Sequence, residues 1–338
     1  MPAEVGDQLT SEQIDYIYRT LIRPTLFEAA PGDEASPTLV LLGGQPGSGK
    51  SRASARLLAE YDGMVALSGD DLRIFHPQFR KLINDDPEHA GRTLAEVTRP
   101  WVRSAIQDAL ENRHSLLLEG TFGDPEITLV TADRFRQAGF QVRIVALASP
   151  RVLSVITVAS RYLRDLKMEA PTRFTRLSAH DRGYDGTARL LDALATGNAA
   201  DRVTVLGRGG GTLFDQTGQD TASLAAARKA LIEGRNPTRW GARSTMELLG
   251  ELKQITNYAT TSGRPTADVA DLLIEAHNLA LEEVVPRLSI DADSPQARFI
   301  RQTVTEQSVA LGRSVGADPG QLVAEAAISA LGTDDLSR

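Results

Sequence analysis

The sequence predicts an α/β fold, a doubly wound parallel sheet carrying a C-terminal helical extension. Three observations carry that expectation. Five short apolar runs, Leu39–Leu42, Met64–Leu67, Leu116–Leu118, Val142–Leu147 and Val203–Leu206, alternate with segments of helical periodicity. The first run leads directly into Gly44-Gln45-Pro46-Gly47-Ser48-Gly49-Lys50-Ser51, a phosphate-loop (P-loop) pattern with every fixed position filled. Beyond Gly207 the strand signals stop and only helical spacing continues.

Each element follows from its own residues. Thr10 or Ser11 caps a helix over residues 10–29, whose Ile14, Ile17, Tyr18, Leu21 and Ile22 recur at helical spacing. The loop 31–37, rich in Pro and Gly, leads to the first strand. Arg52–Glu60 forms the helix after the glycine loop, so strand, loop and helix stand in the order the motif requires. Further helices are expected over 92–112, with Trp101 in its core face, and from Pro125 to Ala138, stopped by Gly139. From 221 onward, Met246, Leu249, Leu252 and Ile255 share one face, as do Val269, Leu272, Leu273, Ala276 and Leu279. Ser294-Pro295 and Asp318-Pro319 read as helix starts. The expected domains are an N-terminal helix and linker over 1–36, a P-loop kinase-like domain over 37–215, and a helical domain over 221–338.

Composition removes several function classes. A net charge of −7 offers no basic field, so nucleic acid is not the expected partner, and the Arg228, Lys229, Arg235, Arg239 and Arg243 cluster around Trp240 reads as a solvated face. The absence of cysteine excludes disulfides, thiolate catalysis and cysteine zinc sites. No run approaches the roughly 20 apolar residues of a membrane span, and the N-terminus lacks a secretion signal, so a cytoplasmic protein without membrane contact is expected. His89, His114 and His277 lack partners at metal-binding spacing, and His76 before Pro77 reads as a turn residue.

The chemistry collects at strand ends. Backbone N–H groups of Gly44–Ser51 would close on phosphate oxygens, with Lys50 reaching the β- and γ-phosphates and the Ser51 hydroxyl meeting Mg²⁺. Asp70 and Asp71 follow the second strand, where a carboxylate can orient an acceptor hydroxyl and take its proton. Asp70 is the favoured base, with Asp71 the alternative or a helix cap. Glu119 ends a strand of leucines, where a carboxylate needs either a function or an arginine partner. Arg161, Arg164, Arg173, Arg176 and Arg182 crowd one segment around Pro171. Small-molecule kinases close such arginines over a transferring phosphoryl group; the alternative is a solvated helix face with Asp165 and Glu169 as acidic neighbours.

Four stretches, in order, resemble the zeta toxin family of bacterial toxin–antitoxin systems. They are Leu41-Leu-Gly-Gly-Gln-Pro-Gly-Ser-Gly-Lys50, Gly69-Asp-Asp-Leu-Arg73 with His76-Pro77, Leu118-Glu-Gly-Thr121, and Arg161-Tyr162 with Arg173-Phe-Thr175 and His180-Asp181. The resemblance spans roughly residues 10–215. It implies a kinase that transfers the ATP γ-phosphate to the 3′-hydroxyl of the amino sugar in UDP-N-acetylglucosamine. By position it assigns the base to Asp70, the sugar contacts to Glu119 and Thr121, and transition-state stabilisation to Arg161 and Arg173. Arg164 or Arg176 are alternatives, because the Arg161–Arg173 spacing departs from the family's. Phe122 and Gly123 stand where the family has a basic side chain. It also implies a helical antitoxin partner. The C-terminal helices, which the resemblance does not cover, read first as an added domain packing on the kinase and alternatively as a fused inhibitor that would fill that role. A kinase of another nucleotide or metabolite, or a regulatory ATPase switch, are the competing functions.

Overall fold

Six strands, β1 (Thr38–Gly43), β2 (Val65–Ser68), β3 (Leu116–Gly120), β4 (Gln141–Ala148), β5 (Arg202–Gly207) and β6 (Thr212–Thr217), form one sheet in the order β2-β3-β1-β4-β5-β6. The computed structural model describes residues 9–316, except 29, 31, 33–34, 195–198, 219, 237–240, 264 and 289. Asp318-Pro319, Arg239 and Trp240, and residues 31, 33 and 34 of the 31–37 loop therefore lie outside the described residues. The first five strands are parallel, as their unbroken apolar runs require of strands covered on both faces. β6 is antiparallel to β5 and was not foreseen; its exposed polar residues carry no burial signal.

The helices are α1 (Ser11–Ile17), α2 (Arg23–Phe27), α3 (Lys50–Leu58), α4 (Phe79–Asp85), α5 (Ala90–Glu111), α6 (Pro125–Gln137), α7 (Arg151–Lys167), α8 (Leu177–Leu194), α9 (Thr221–Arg235), α10 (Ala242–Thr261), α11 (Ala267–Leu279) and α12 (Pro295–Ser314). A wider π-type turn, Tyr18–Ile22, joins α1 to α2, so the expected first helix is one run with a changed pitch. The Tyr18 hydroxyl donates to Asp108 of α5, and Arg23 Nε donates to the same carboxylate at 3.1 Å. Trp101 is fully buried in α5 and its indole N–H donates to the Ile14 carbonyl at 2.9 Å.

Sheet handedness decides which helix covers which face. The β1 to β2 connection runs across the sheet in the opposite sense to the later ones, so a right-handed crossover must place α3 on the opposite face. Alternate residues of the strands record this. Val40, Leu42, Leu117, Val145 and Leu147 pack with Ala53 and Leu57 of α3. Leu39, Leu41, Leu116, Ile144 and Val203 pack with α5, α6, α8 and α9 through Trp101, Phe135, Leu190 and Leu231. The crevice beside β1, where the crossover direction changes, is where an open α/β sheet receives ligands.

By internal contacts the chain divides into two units. One comprises Met1–Ser149, Pro171–Thr175 and Asp181–Gly234; the other comprises Pro150–Ala170, Arg176–His180 and Arg235–Arg338. This division differs from the sequence boundaries in two places. Leu224, Ala227 and Leu231 of α9 belong to the core of the sheet unit. α7, expected within the kinase domain, instead packs against α10 and α11 in the helical unit.

The helical unit also corrects one amphipathic face. In α10 the inward positions are Thr245, Leu248, Leu252, Ile255, Thr256 and Ala259, whereas Met246 is 53% exposed. Ser294 caps α12 as expected, accepting from the Ala297 N–H at 3.1 Å. His277 of α11 is wholly buried. Its Nδ1–H donates to the Leu273 carbonyl at 2.7 Å, and Thr256 Oγ1 lies 3.4 Å from Nε2. Burial holds this imidazole below its ordinary pKa, with the Leu273 and Gln307 hydrogen bonds opposing. The unfolded chain therefore takes up this proton more readily than the folded one. Stability from His277 is complete above about 6.5 and is lost as pH falls below it. Thermal denaturation of the whole chain should show this acid-side loss, and His277→Asn should flatten it.

Candidate active site

The glycine loop after β1 has the backbone of a phosphate cradle. Gly47 and Gly49 have φ of +78° and +98°, the left-handed region in which a side chain would be strained, and Gly49 leads directly into α3. Gln45 is fully buried and its amide donates to the Ser149 carbonyl at 3.0 Å, fixing the loop to the end of β4. Lys50 Nζ donates to the Gly44 and Gln45 carbonyls at 2.9 and 3.1 Å, so the ammonium group lies across the loop it belongs to. Ser51, the second residue of α3, is exposed.

Strand register assembles the remaining groups. Ser68 pairs with Glu119 across β2 and β3, and Glu119 pairs with Leu42 across β3 and β1. Asp70, two residues past Ser68, thus leaves the sheet on the same level as Glu119 and the start of the glycine loop. Two strand spacings separate β2 from β1, about 10 Å. Glu119 is half-buried and forms no ion pair among the described residues, so the arginine partner considered for it is not made. Thr121 is exposed, and its Oγ1 accepts from the Gly123 N–H at 3.4 Å.

Asp70 is held by two guanidinium groups. Arg173 donates to both carboxylate oxygens in a fork, and Arg73 Nη2 stands 3.1 Å from Oδ1. Asp70 occupies the cap position of the short 3-10 turn Asp71–Phe75, yet no side-chain cap bond forms there, so the capping role weighed for Asp71 is not realised. Burial first, and the neighbouring Asp70 charge second, hold the Asp71 carboxyl above its ordinary pKa against the opposing pull of Arg173. Arg73, assigned no role of its own from the sequence, is half-buried beside Arg173; desolvation first and the Arg173 charge second lower its pKa, while Asp70 raises it.

The Zeta toxin family profile matches residues 25–219, more than half of the chain and all of the groups just described. The chain belongs to the zeta toxin family. Toxin PezT of Streptococcus pneumoniae serotype 4 (strain ATCC BAA-334 / TIGR4) is 28% identical over 209 residues, covering 59% of this chain and 79% of that one. Toxin zeta of Enterococcus hirae is 26% identical over 184 residues, covering 53% of this chain. The chain spans 64% of the length of that toxin and 60% of the length of toxin zeta from Streptococcus pyogenes. A solved structure from the PezAT toxin–antitoxin system of S. pneumoniae superimposes with a TM-score of 0.62 at 19% identity. It covers 74% of this chain and 98% of that one, which shows a shared fold.

The other arginines of this zeta toxin family member separate by environment. Arg161 is half-buried on α7, in the helical unit. Arg164, considered as its substitute, is exposed beside Asp165, and Arg176 pairs with Asp268 at 2.9 Å within the same unit. The basic cluster near α9 is a solvated face only in part: Arg235 is buried, whereas its other described members pair with carboxylates near the surface. Arg228 meets Asp192, Lys229 meets Glu233 and Arg243 meets Glu247. His180 and Ser154 form a buried contact of 2.8 Å in the helical unit, with no exposure to serve as a nucleophile–base pair. His76 is buried and its Nδ1 accepts from the Gln78 N–H at 3.1 Å, the turn role expected of it. No group of three or more metal-ligating side chains occurs among the described residues, and no described helix is long and apolar enough to cross a membrane.

Two features of the sheet unit escaped the sequence. Arg208, in the β5–β6 turn, donates to the Gly47 carbonyl, while its own carbonyl lies 3.3 Å from where a Gly49 Cβ would stand. The turn is tied back to α3 by Arg56, which donates to the Gly210 carbonyl and to Thr212 Oγ1. The second is a close approach of α8. Phe122, with a left-handed φ of +56°, is buried against Gly43, where a Cβ would meet the ring at 2.2 Å. On its other side a Cβ at Gly186 would lie 2.1 Å from the Phe122 carbonyl, and one at Gly183 would lie 3.1 Å from Gln45 Cα. The Gly183–Gly186 spacing on a helical pattern is the signal that could have disclosed it.

Gly186→Ala should therefore destabilise the protein by about 1–3 kcal/mol, because only backbone movement relieves the clash. That outweighs the ~1 kcal/mol that Ala ordinarily gains over Gly inside a helix. Gly250→Ala, at a position in α10 with nothing within 4 Å, should stabilise. Denaturant titration of the two variants reads the opposite signs.

Proposed function

We propose that this zeta toxin family member is an ATP-dependent kinase of a small-molecule hydroxyl, with Asp70 as the base. The carrying observation is the common level of Ser68, Glu119 and Leu42 in the sheet, which delivers Asp70, Glu119 and the glycine loop to one edge. Lys50 would turn from the Gly44 and Gln45 carbonyls to the β- and γ-phosphates. Backbone N–H groups over Gly44, Gln45, Pro46, Gly47, Ser48 and Gly49 would hold the remaining phosphate oxygens, Pro46 contributing shape rather than a donor. The cradle suits a phosphate group, since Gly47 and Gly49 open the loop where side chains would fill it.

Ser51 fits the metal role, being exposed at the first turn of α3 with one hydroxyl to offer. Magnesium bound there would offset charge on the phosphate oxygens, in keeping with its habit of taking few protein ligands. Asp70 orients the acceptor hydroxyl and takes its proton as the oxygen bonds to the γ-phosphorus, while the bond from that phosphorus to the bridging oxygen breaks and ADP leaves. Arg173 must first release Asp70, since its guanidinium fork occupies a lone pair on each oxygen and covers the edge from which an acceptor hydroxyl would approach. Freed, it can stabilise the charge on the transferring group, a role that the family resemblance also assigns to Arg161.

The acceptor we infer is the amino-sugar 3′-hydroxyl of UDP-N-acetylglucosamine, held by Glu119 and Thr121. The family resemblance supports it, as does the place of these two residues at the end of β3. Consumption of that sugar nucleotide would inhibit growth, and the toxin–antitoxin naming of the PezAT relative supports a helical antitoxin partner. Incubation with ATP, Mg²⁺ and UDP-N-acetylglucosamine, followed by phosphorus NMR, should reveal a phosphomonoester on the sugar. ATP turnover without acceptor would overturn the kinase reading in favour of a switch. Turnover only with another metabolite would overturn the acceptor alone. Lys50→Ala should abolish transfer, and Asp70→Asn should lower kcat by roughly 10²–10⁴-fold with ATP binding retained.

A further inference from the structure

We infer that Arg73 is the positioning residue of Asp70: it keeps the carboxylate in place when Arg173 leaves it for the phosphoryl group. The inference deepens the kinase reading and rests on it. Its basis is the contrast between the two guanidinium groups that share one carboxylate.

Arg73 approaches Asp70 from within its own turn. A 3-10 turn repeats every three residues, so positions i and i+3 stand one above the other. The Arg73 N–H donates to the Asp70 carbonyl at 3.2 Å, and the His76 N–H donates to the Arg73 carbonyl at 3.0 Å, so the backbone under Arg73 is fixed on both sides. Its side chain is 13% exposed and is covered by the first turn of α5, where a Cβ on Gly91 would lie 3.9 Å from Nη1. Arg173 has a different setting. It comes from the irregular stretch 170–176 and its side chain is 31% exposed.

Energetics separate the two in the same direction. A buried guanidinium is costly unless it is paired, and Arg73 Nε and Nη1 are buried with no hydrogen-bond partner. Among the described residues Asp70 is the one carboxylate paired with Arg73, so breaking that contact would strand a charge with no alternative. Arg173 keeps access to solvent and can exchange one anion for another. The group that stays is thus Arg73, and the group that moves is Arg173. Arg73 contacts Oδ1, so departure of Arg173 frees Oδ2 to receive the proton of the acceptor hydroxyl.

Crystal structures with AMP-PNP and Mg²⁺ test this without any acceptor. In the wild type, Arg173 should have left Asp70 while Arg73 remains on Oδ1; in Arg73→Gln, Asp70 should lose that orientation. Arg173 still forked on Asp70 with the nucleotide bound, or Asp70 unmoved in Arg73→Gln, would overturn the proposal. With UDP-N-acetylglucosamine as acceptor, Arg73→Gln should lower kcat by roughly 10–100-fold at an unchanged KM for ATP. Millimolar guanidinium should partly restore Arg73→Ala, a rescue that a purely structural role would not give. If Arg73→Ala fails to fold, Arg73→Lys keeps the charge without the planar fork and should show an intermediate kcat; a wild-type kcat would overturn the proposal. The two readings fail separately. Full activity of Asp70→Asn would remove the base assignment itself. A silent Arg73→Gln beside an impaired Asp70→Asn would remove only the role of Arg73.

Discussion

Parallel strand register is the constraint from which the site follows. In a parallel ladder every strand ends on the same edge, so the residue following each strand is delivered to a shared rim at intervals of about 5 Å. β1 at the centre brings the glycine loop, β3 brings Glu119 and Thr121, and β2 brings Asp70. A one-residue slip of β2 against β3 would exchange the faces of Val65 and Leu67, both buried in the core beneath the sheet, so the core enforces the site's alignment.

A second layer of constraint is the near contact of backbones. Phe122 is wedged between Gly43 and Gly186, and Gly183 rests on Gln45. These contacts leave no room for side chains, which is why four glycines or left-handed positions converge where β1, the 121–123 loop and α8 meet. The same crowding orders Thr121 beside the P-loop without any hydrogen bond between them. On the opposite flank, Arg208 and Arg56 use charge-assisted bonds to carbonyls to hold the β5–β6 turn against the loop and its helix.

Much of the fold was legible because the parallel strands are apolar on both faces and short, a pattern few other elements produce. The P-loop, Asp70 and Glu119 were legible for a related reason: each polar residue follows directly on such a run. What stayed hidden depended on pairing across long separations. β6 is solvent-facing and borrows its order from β5. Arg73 stood at the end of the Gly69–Arg73 stretch with nothing in the sequence to say that α5 covers it, and Arg208 lies about 160 positions from Gly47, the residue it contacts. In α10 Leu252 and Ile255 face inward as expected, but in the first turns Thr245 and Leu248 take the places of Met246 and Leu249. Leu248 and Leu249 are both leucine, and only packing chooses between them.

Lys50 has one more implication. Its ammonium group already holds the Gly44 and Gln45 carbonyls, so the loop keeps its shape through an internal tether. A triphosphate arriving there replaces one set of contacts by another rather than creating them afresh. Measured affinity is then a net exchange quantity, smaller than the contacts of the bound state would imply, and an amine that can swap partners in this way favours turnover over tight retention of product.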